Sequence, residues 1–285
     1  MINDLRPQRD LRTLIVEHKT NPELIDIIVE SSFDKSFYEN HLRYLKKNLN
    51  ILCIDSIIID DNDIANAGYN RQCNRDRIIY LIILLQNEGV GKNVYGIIDK
   101  DFLPYTRGLP VNSNILTTDN SSKEMYFFSE ENIQRINEQL YEKITPSIVH
   151  MIMEEQKKLS YIQILKERES WGIPDIEKKP KYFIIRTNYF EFKSDDYLNN
   201  MLNSGGLLSQ IQTIKKEIDE LKKELMNENI RDCIRGHDFI AFLLLYAKRY
   251  ADANFTELLL SNHYQIGVKS EEMAKTNLFL KLLAL

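Results

Sequence analysis

The sequence predicts an α/β fold: a mainly parallel sheet flanked by helices, followed by a mostly helical C-terminal part. Three observations carry this. Short runs rich in Ile and Val alternate with helical segments over residues 1 to about 120, the pattern of parallel α/β units. From about 121 onward, helical periodicity replaces that alternation. Turn and cap signals fall between the segments, with Gly89 after one predicted helix and Pro146 between two others. The expected division is an α/β domain over 1–124 and a mostly helical region over 125–285.

Taken in order, "LIDIIVE" (24–30) is a strand, and "DKSFYENHLRYLKKNL" (34–49) a helix. Phe37, Leu42 and Leu45 fall on helical spacing there, and Asp34 is placed as its N-cap. "NILCIDSIIID" (50–60) reads as a second strand, and the polar stretch "DDNDIANAGYN" as a loop leading to a helix over roughly 72–87 that stops at Gly89. "NVYGIID" (93–99) is the third strand and "NILTT" (114–118) the fourth. Two helices broken at Pro146 follow, "EENIQRINEQLYEKI" and "SIVHMIMEEQKKLSYIQILKER". "KYFIIRTNYFEF" (181–192) is a strand or a hairpin. After Gly205-Gly206, a helix over about 207–228 carries Leu207, Ile211, Ile214, Ile218, Leu221 and Leu225 on heptad spacing. That seam serves either as an arm packed on its own chain or as a dimer contact. The last 50 residues, from "RGHDFIAFLLLYAKRY", read as core-packed helices.

Composition excludes several classes. The 285 residues are 43% apolar and 28% charged, which is ordinary for a folded protein. The longest apolar runs, at 78–85 and 239–247, are short of the ~20 residues a membrane span needs. "MINDLRPQRD" has no apolar core of the signal-peptide kind, and Cys53, Cys73 and Cys233 form no C-x-x-C pair, so a cytoplasmic protein is expected. A net charge of −5 argues against a protein that coats DNA through a basic face. It leaves room for a carboxylate cluster that holds divalent cations.

The carboxylates that matter follow predicted strands. In an open parallel sheet, ligands gather beyond the C-terminal strand ends. Glu30 closes the first strand, and Asp99 and Asp101 close the third. If those strands are neighbours, three carboxylates meet, which suits a hard cation such as Mg²⁺ or Mn²⁺. In an extended segment alternate side chains share a side, so Asp99 and Asp101 would face together and Lys100 away. Each has a plainer reading: Glu30 as a solvated strand end, Asp34 as a helix cap, and Glu124 with Ser121 as a capping box. Asp238 reads as an N-cap with His237 as a loop residue; approach to the cleft is the alternative.

The set "VESSFD" (29–34) and "IIDKDF" (97–102) resembles the Toprim fold, the metal-binding α/β domain of topoisomerases, primases and OLD-family nucleases. The match extends through "DKSFYENHL", "ILTTDNSSKEMYFF" and "IRGHDFIAFLL". It is most similar to the Toprim-related family encoded beside OLD-like ABC ATPases in bacterial anti-phage loci, the AriB-like effectors of PARIS-type systems. Ser31 replaces the usual Gly after the Glu, and Tyr69 follows Gly68 where relatives carry Gly-Lys.

The resemblance implies a Mg²⁺- or Mn²⁺-dependent endonuclease, the toxic effector in abortive infection. Its implied partners are a nucleic-acid substrate (RNA, tRNA included, ahead of DNA), the ABC ATPase, and a second copy in the active state. Glu30, Asp99 and Asp101 would hold metal, with Glu124 on a second ion, and Lys123 or Lys100 would stabilise transition-state charge. Asp34, His237 and Asp238 would support them, and Arg71, Arg75 and Arg77 would contact nucleic acid. Two other readings stay open: a haloacid-dehalogenase-type phosphatase using D-x-D, and a non-catalytic sensor or scaffold for the ATPase. Against the phosphatase, the motif follows the third strand and Leu103 stands where Thr or Val is usual.

Overall fold

The computed structural model describes residues 9–140, 143–174, 178–251 and 254–285. The stretch "MINDLRPQ", on which the signal-peptide reading rests, and Tyr141–Glu142 of the helix expected over 130–144 lie outside them. In chain order the elements begin β1 (Arg9–Asp10), α1 (Leu11–Thr20), β2 (Asp26–Val29), α2 (Ser32–Tyr44) and β3 (Asn50–Cys53). Next come β4 (Ile57–Ile58), α3 (Asp61–Asn66), α4 (Asn74–Asn87), β5 (Val94–Ile98) and β6 (Ile115–Thr117). A 3₁₀ segment (Lys123–Phe128) precedes α5 (Glu130–Leu140), α6 (Pro146–Arg168), β7 (Phe183–Arg186) and β8 (Tyr189–Phe192). The chain ends with α7 (Ser194–Ser204), α8 (Ile211–Glu224), α9 (Ile230–Cys233), α10 (Gly236–Tyr250), α11 (Glu257–Gly267), α12 (Ser270–Met273) and α13 (Asn277–Ala284). Among the described residues, no helix is long and apolar enough to cross a membrane.

The chain forms two compact units. The first comprises Met1–Asp99, Pro110–Asp119 and Lys269–Leu285; the second comprises Lys100–Leu109 and Asn120–Val268. Where the sequence suggests one cut near 124, the chain passes between the units several times, and one passage splits the D-x-D pair between Asp99 and Lys100.

The core of the first unit is a four-stranded parallel sheet in the order β3–β2–β5–β6. All four residues of β2 are buried, as a strand covered on both faces requires. Gly96 in β5 is needed for packing: a Cβ there would overlap the Ile78 methyl of α4. The predicted strand 50–60 stops at Cys53. Ser56 Oγ donates to the Cys53 carbonyl at 2.6 Å in a 3₁₀ turn, and β4 then pairs in parallel with β1, away from the main sheet. The loop expected at 60–70 contains α3, started by Asp60, whose carboxylate accepts from Asn62 N at 2.8 Å. Gly89 does end its helix in the left-handed region, at φ +74°.

The N-cap of α2 is Ser31, not Asp34. Asp34 N donates to Ser31 Oγ at 3.2 Å, and Ser31 Oγ donates to the Asp34 carboxylate at 2.7 Å, a reciprocal cap that starts the helix at Ser32. At the opposite end of β2 the fully buried Asp26 accepts from Asn50 Nδ2 at 2.6 Å and lies 3.1 Å from His18 Nε2, so each of its carboxyl oxygens has a local hydrogen-bond partner.

The C-terminus returns to the first unit. Asp119 accepts from the backbone N–H groups of Asn277 (2.8 Å) and Leu278 (3.2 Å), anchoring the start of α13. Phe279 then packs on Phe37, Tyr38 and His41 of α2. Burial pushes the His41 imidazole down from 6.5 to about 4, while its Nδ1 sits 2.8 Å from Ser270 Oγ. The folded protein therefore keeps this ring neutral where the unfolded chain protonates it. Because the unfolded state binds more protons between those two values, stability is lost as pH falls through that window, by on the order of 2 kcal/mol. Denaturation at pH 7 and pH 4.5 should show this drop, and His41→Gln should reduce it. An unchanged drop in the variant would rule His41 out as its source.

The second unit is mostly helical. Pro146 opens α6 with Thr145 as N-cap, so the predicted break is a helix start. Residues 183–192 form an antiparallel hairpin with Phe183 opposite Phe192. The heptad seam faces inward: Ile214, Ile218, Leu221 and Leu225 are buried. Arg168 on α6 grips Glu224 on α8 through two bonds of 3.0 and 2.7 Å. The seam is thus an arm packed in cis, and this row of apolar residues is not open to a second copy.

Candidate functional site

The strand order fixes where a ligand belongs. From β2 the chain moves to β3 on one side and later to β5 on the other, so connections diverge between β2 and β5. At such a switch point a crevice opens beyond the C-terminal strand ends. Glu30 is the residue after β2 and Asp99 the residue after β5. They meet there: Asp99 N donates to Glu30 Oε1 at 3.1 Å, across 69 residues of sequence.

Glu30 is held from behind. Asn74, the first residue of α4, donates from Nδ2 to the Glu30 carbonyl at 2.8 Å. Arg77 Nη1 donates to Asn74 Oδ1 at 2.9 Å and to Asp55 at 2.7 Å. Asp55, Arg77 and Asn74 therefore form a chain of contacts that fixes the backbone at Glu30. Sequence reasoning missed Asn74, because a polar residue at a helix start has many ordinary explanations. It placed Arg77 with the nucleic-acid candidates, whereas one of its guanidinium nitrogens is engaged by Asp55 and Asn74. If this chain orients Glu30, Asn74→Ala should lower metal affinity or activity about 10- to 100-fold, in the manner of partners that support metal ligands. Asn74→Ala with wild-type metal affinity and turnover would reduce the contact to ordinary packing. Arg71 is exposed and Arg75 half-buried, the latter on the first turn of α4. Asp34 is engaged with Ser31 as described.

Asp101 and the remaining candidates belong to the second unit. Asp101 is not in extended backbone: β5 ends at Ile98, and Asp101 has φ +42° in a turn. The alternation that would aim Asp99 and Asp101 to one side therefore does not apply to this pair. The turn is fixed by Asp101 N donating to the Ser121 carbonyl at 2.6 Å. Ser121 and Glu124 do not form a capping box. Ser121 Oγ donates to the Ile234 carbonyl, and the 3₁₀ segment starts after Ser122 with no side-chain cap. Lys123 is buried, with Nζ 4.0 Å from Glu124 Oε1. Gly236 lies so close that a Cβ would overlap Ser122 Oγ and come within 2.6 Å of Glu124 Oε2.

His237 and Asp238 are not a loop residue and an N-cap; both lie in the first turn of α10, after Arg235 as N-cap. Asp238 is fully buried and accepts from Lys178 and from Gln163 Nε2 (2.9 Å), with His237 Nε2 3.3 Å away. Burial pushes its carboxyl up, but His237, Lys178 and Gln163 together outweigh that and hold it below the usual range. Asp238 therefore cross-braces α6 and α10 as a satisfied internal charge. Burial raises the thiols of Cys53 and Cys233 as well, which disfavours the thiolate form.

In donor chemistry, Glu30 and Asp99 suit a hard divalent cation, which prefers carboxylate oxygen and keeps several waters. Among the described residues, no group of three His, Cys, Asp or Glu side chains is arranged to hold a metal ion. Comparison with known proteins returned no matching family model and no matching curated relative.

Proposed function

We propose that this protein is a Mg²⁺- or Mn²⁺-dependent endonuclease of the Toprim kind. In this reading it is the toxic effector of a bacterial anti-phage system and works with an OLD-like ABC ATPase. The observation that carries the reading is the meeting of Glu30 and Asp99 at the switch point of a four-stranded parallel sheet. The resemblance of "VESSFD" and "IIDKDF" to the Toprim motifs adds the reaction class.

Glu30 and Asp99 would hold the ion, with Asp101 and Glu124 in the roles the resemblance implies for them. A bound ion of this kind supplies Lewis-acid polarisation of the scissile phosphate and a more acidic water. The chain's own part is to orient the carboxylates. Backbone donation from Asp99 and the Asp55–Arg77–Asn74 contacts do this for Glu30. Lys123 would offset charge that develops on the phosphate. RNA, with tRNA as the leading substrate, is proposed ahead of DNA.

Sequencing of RNA and DNA 5′ and 3′ ends after induction of wild type and the Glu30→Ala variant tests this. New ends in one nucleic acid, present with wild type and missing with the variant, identify the substrate. Identical end profiles in both would remove the nuclease reading.

A further inference from the structure

The net charge of −5 conceals a local surplus of the opposite sign. The stretch "KKPKYFIIRTNYFEFK" (178–193) forms the β7–β8 hairpin with its flanks and carries five basic residues and one acidic one. The hairpin is firmly seated in the second unit. Phe183, Phe190 and Phe192 are buried and pack on Phe242 of α10, with ring centroids 4.8, 5.8 and 5.3 Å away. Asn188 N donates to Tyr246 Oη at 3.2 Å, and Tyr250 Oη donates to the Ile185 carbonyl at 3.4 Å. These bonds set the last turn of α10, with Lys248 and Arg249, beside the hairpin.

The positive charge here is not balanced locally. Lys178 is taken by the buried Asp238, while Asp195 and Glu155 are paired with Lys215 and Lys158. Among the described residues, no carboxylate is paired with Lys181, Arg186, Lys193, Lys248 or Arg249. Lys181 and Arg249 lie instead over the rings of Tyr182 and Tyr250, at 4.8 and 5.8 Å. Two further carboxylates are close: Asp196 in the first turn of α7, and Glu191, which accepts from Tyr189 Oη at 2.5 Å. They leave the cations in excess. At the hairpin tip Arg186 is exposed, and directly opposite it stands Tyr189, 41% exposed.

We infer that the hairpin and the last turn of α10 form a docking surface for single-stranded RNA, with Lys181, Arg186, Lys193, Lys248 and Arg249 on backbone phosphates and Tyr189 against an unpaired base. Cations without carboxylate partners give up nothing when they meet phosphate, and the counterions they displace drive binding. An exposed ring opposite an arginine suits base stacking, which tolerates any base because each has a π-face. An acidic protein segment would use the cations but not the ring. The choice of RNA rests on the nuclease reading; the surface rests on its charges.

Fluorescence anisotropy with a short labelled single-stranded RNA tests this in the full-length Glu30→Ala protein, which serves as a non-cleaving parent. The parent should bind, with log affinity falling against log salt at a slope of about −3. Arg186→Gln and Arg249→Gln should each weaken binding severalfold and make the slope shallower by about 0.7. Tyr189→Ala should weaken binding about fivefold or more with the slope unchanged. If Arg186→Gln fails to fold, Lys248→Gln and Arg249→Gln on α10 carry the test. A parent that does not bind RNA overturns the inference, as does parental affinity in the combined Arg186→Gln, Lys248→Gln and Arg249→Gln variant. Poly-glutamate that displaces the RNA at equal charge also overturns it and assigns the surface to an acidic protein. Binding is read here without cleavage, so loss of the nuclease reading leaves the measurement intact. Conversely, cleavage at wild-type KM by the combined variant with Glu30 restored would remove the hairpin and keep the nuclease.

Discussion

Glu30→Ala should lose nucleic-acid cleavage by about a thousandfold or more and lose toxicity on induction, while remaining folded. The size of the effect follows from the several kcal/mol of charge stabilisation a catalytic ion supplies, which disappears with its ligand. Retained folding follows from position. Glu30 lies just beyond β2, outside the buried Asp26–Val29 run, and its carboxylate accepts from a backbone N–H at the sheet edge. Loss of such a bond costs about 1 kcal/mol, far below what an entire domain core provides. Circular dichroism and a denaturation curve on the same preparation separate the two effects. Full cleavage by a folded Glu30→Ala protein would dismiss the carboxylate from the chemistry.

The second large effect is on stability. Phe279→Ala should destabilise the first unit by about 3–5 kcal/mol, the range for removing a buried phenyl group. Phe279 is fully buried, with its ring centroid 6.3 Å from that of Phe37 and 5.9 Å from that of Tyr38. The cavity would open between α13 and α2, the helix that follows Glu30. Chemical denaturation reports the change directly, and a loss under about 1 kcal/mol would mean that α13 is a loosely held tail.

The sheet was legible because its signal is local. Runs such as "DIIV" and "VYGII" are dense in β-branched residues, and four such runs with helical segments between them leave few topologies. Glu30 and Asp99 could be placed from that pattern, since residues just past strand ends are set by where the strands end. Most of what could not be read depended on partners far away in sequence. The strand expected over 50–60 breaks after Cys53 because β1 recruits its second half. Ser31 outcompetes Asp34 for the cap because its hydroxyl both accepts and donates within one turn. Asp101 leaves the extended path because Ser121 takes its N–H. Asp238 is drawn inward by Gln163 and Lys178, 75 and 60 residues away. Apart from the Ser31 cap, which is decided within one turn, each is a contact between residues distant in sequence that overrides a sound local preference.

The central claim is that Glu30 and Asp99 hold a divalent cation. Calorimetric titration with Mn²⁺ of wild type and the Asp99→Asn and Glu30→Ala variants tests it most directly. Saturable binding in wild type, weakened at least tenfold in each folded variant, is the expected result. Absence of binding in all three would contradict a metal centre and leave a scaffold for an ATPase partner as the better description of the fold.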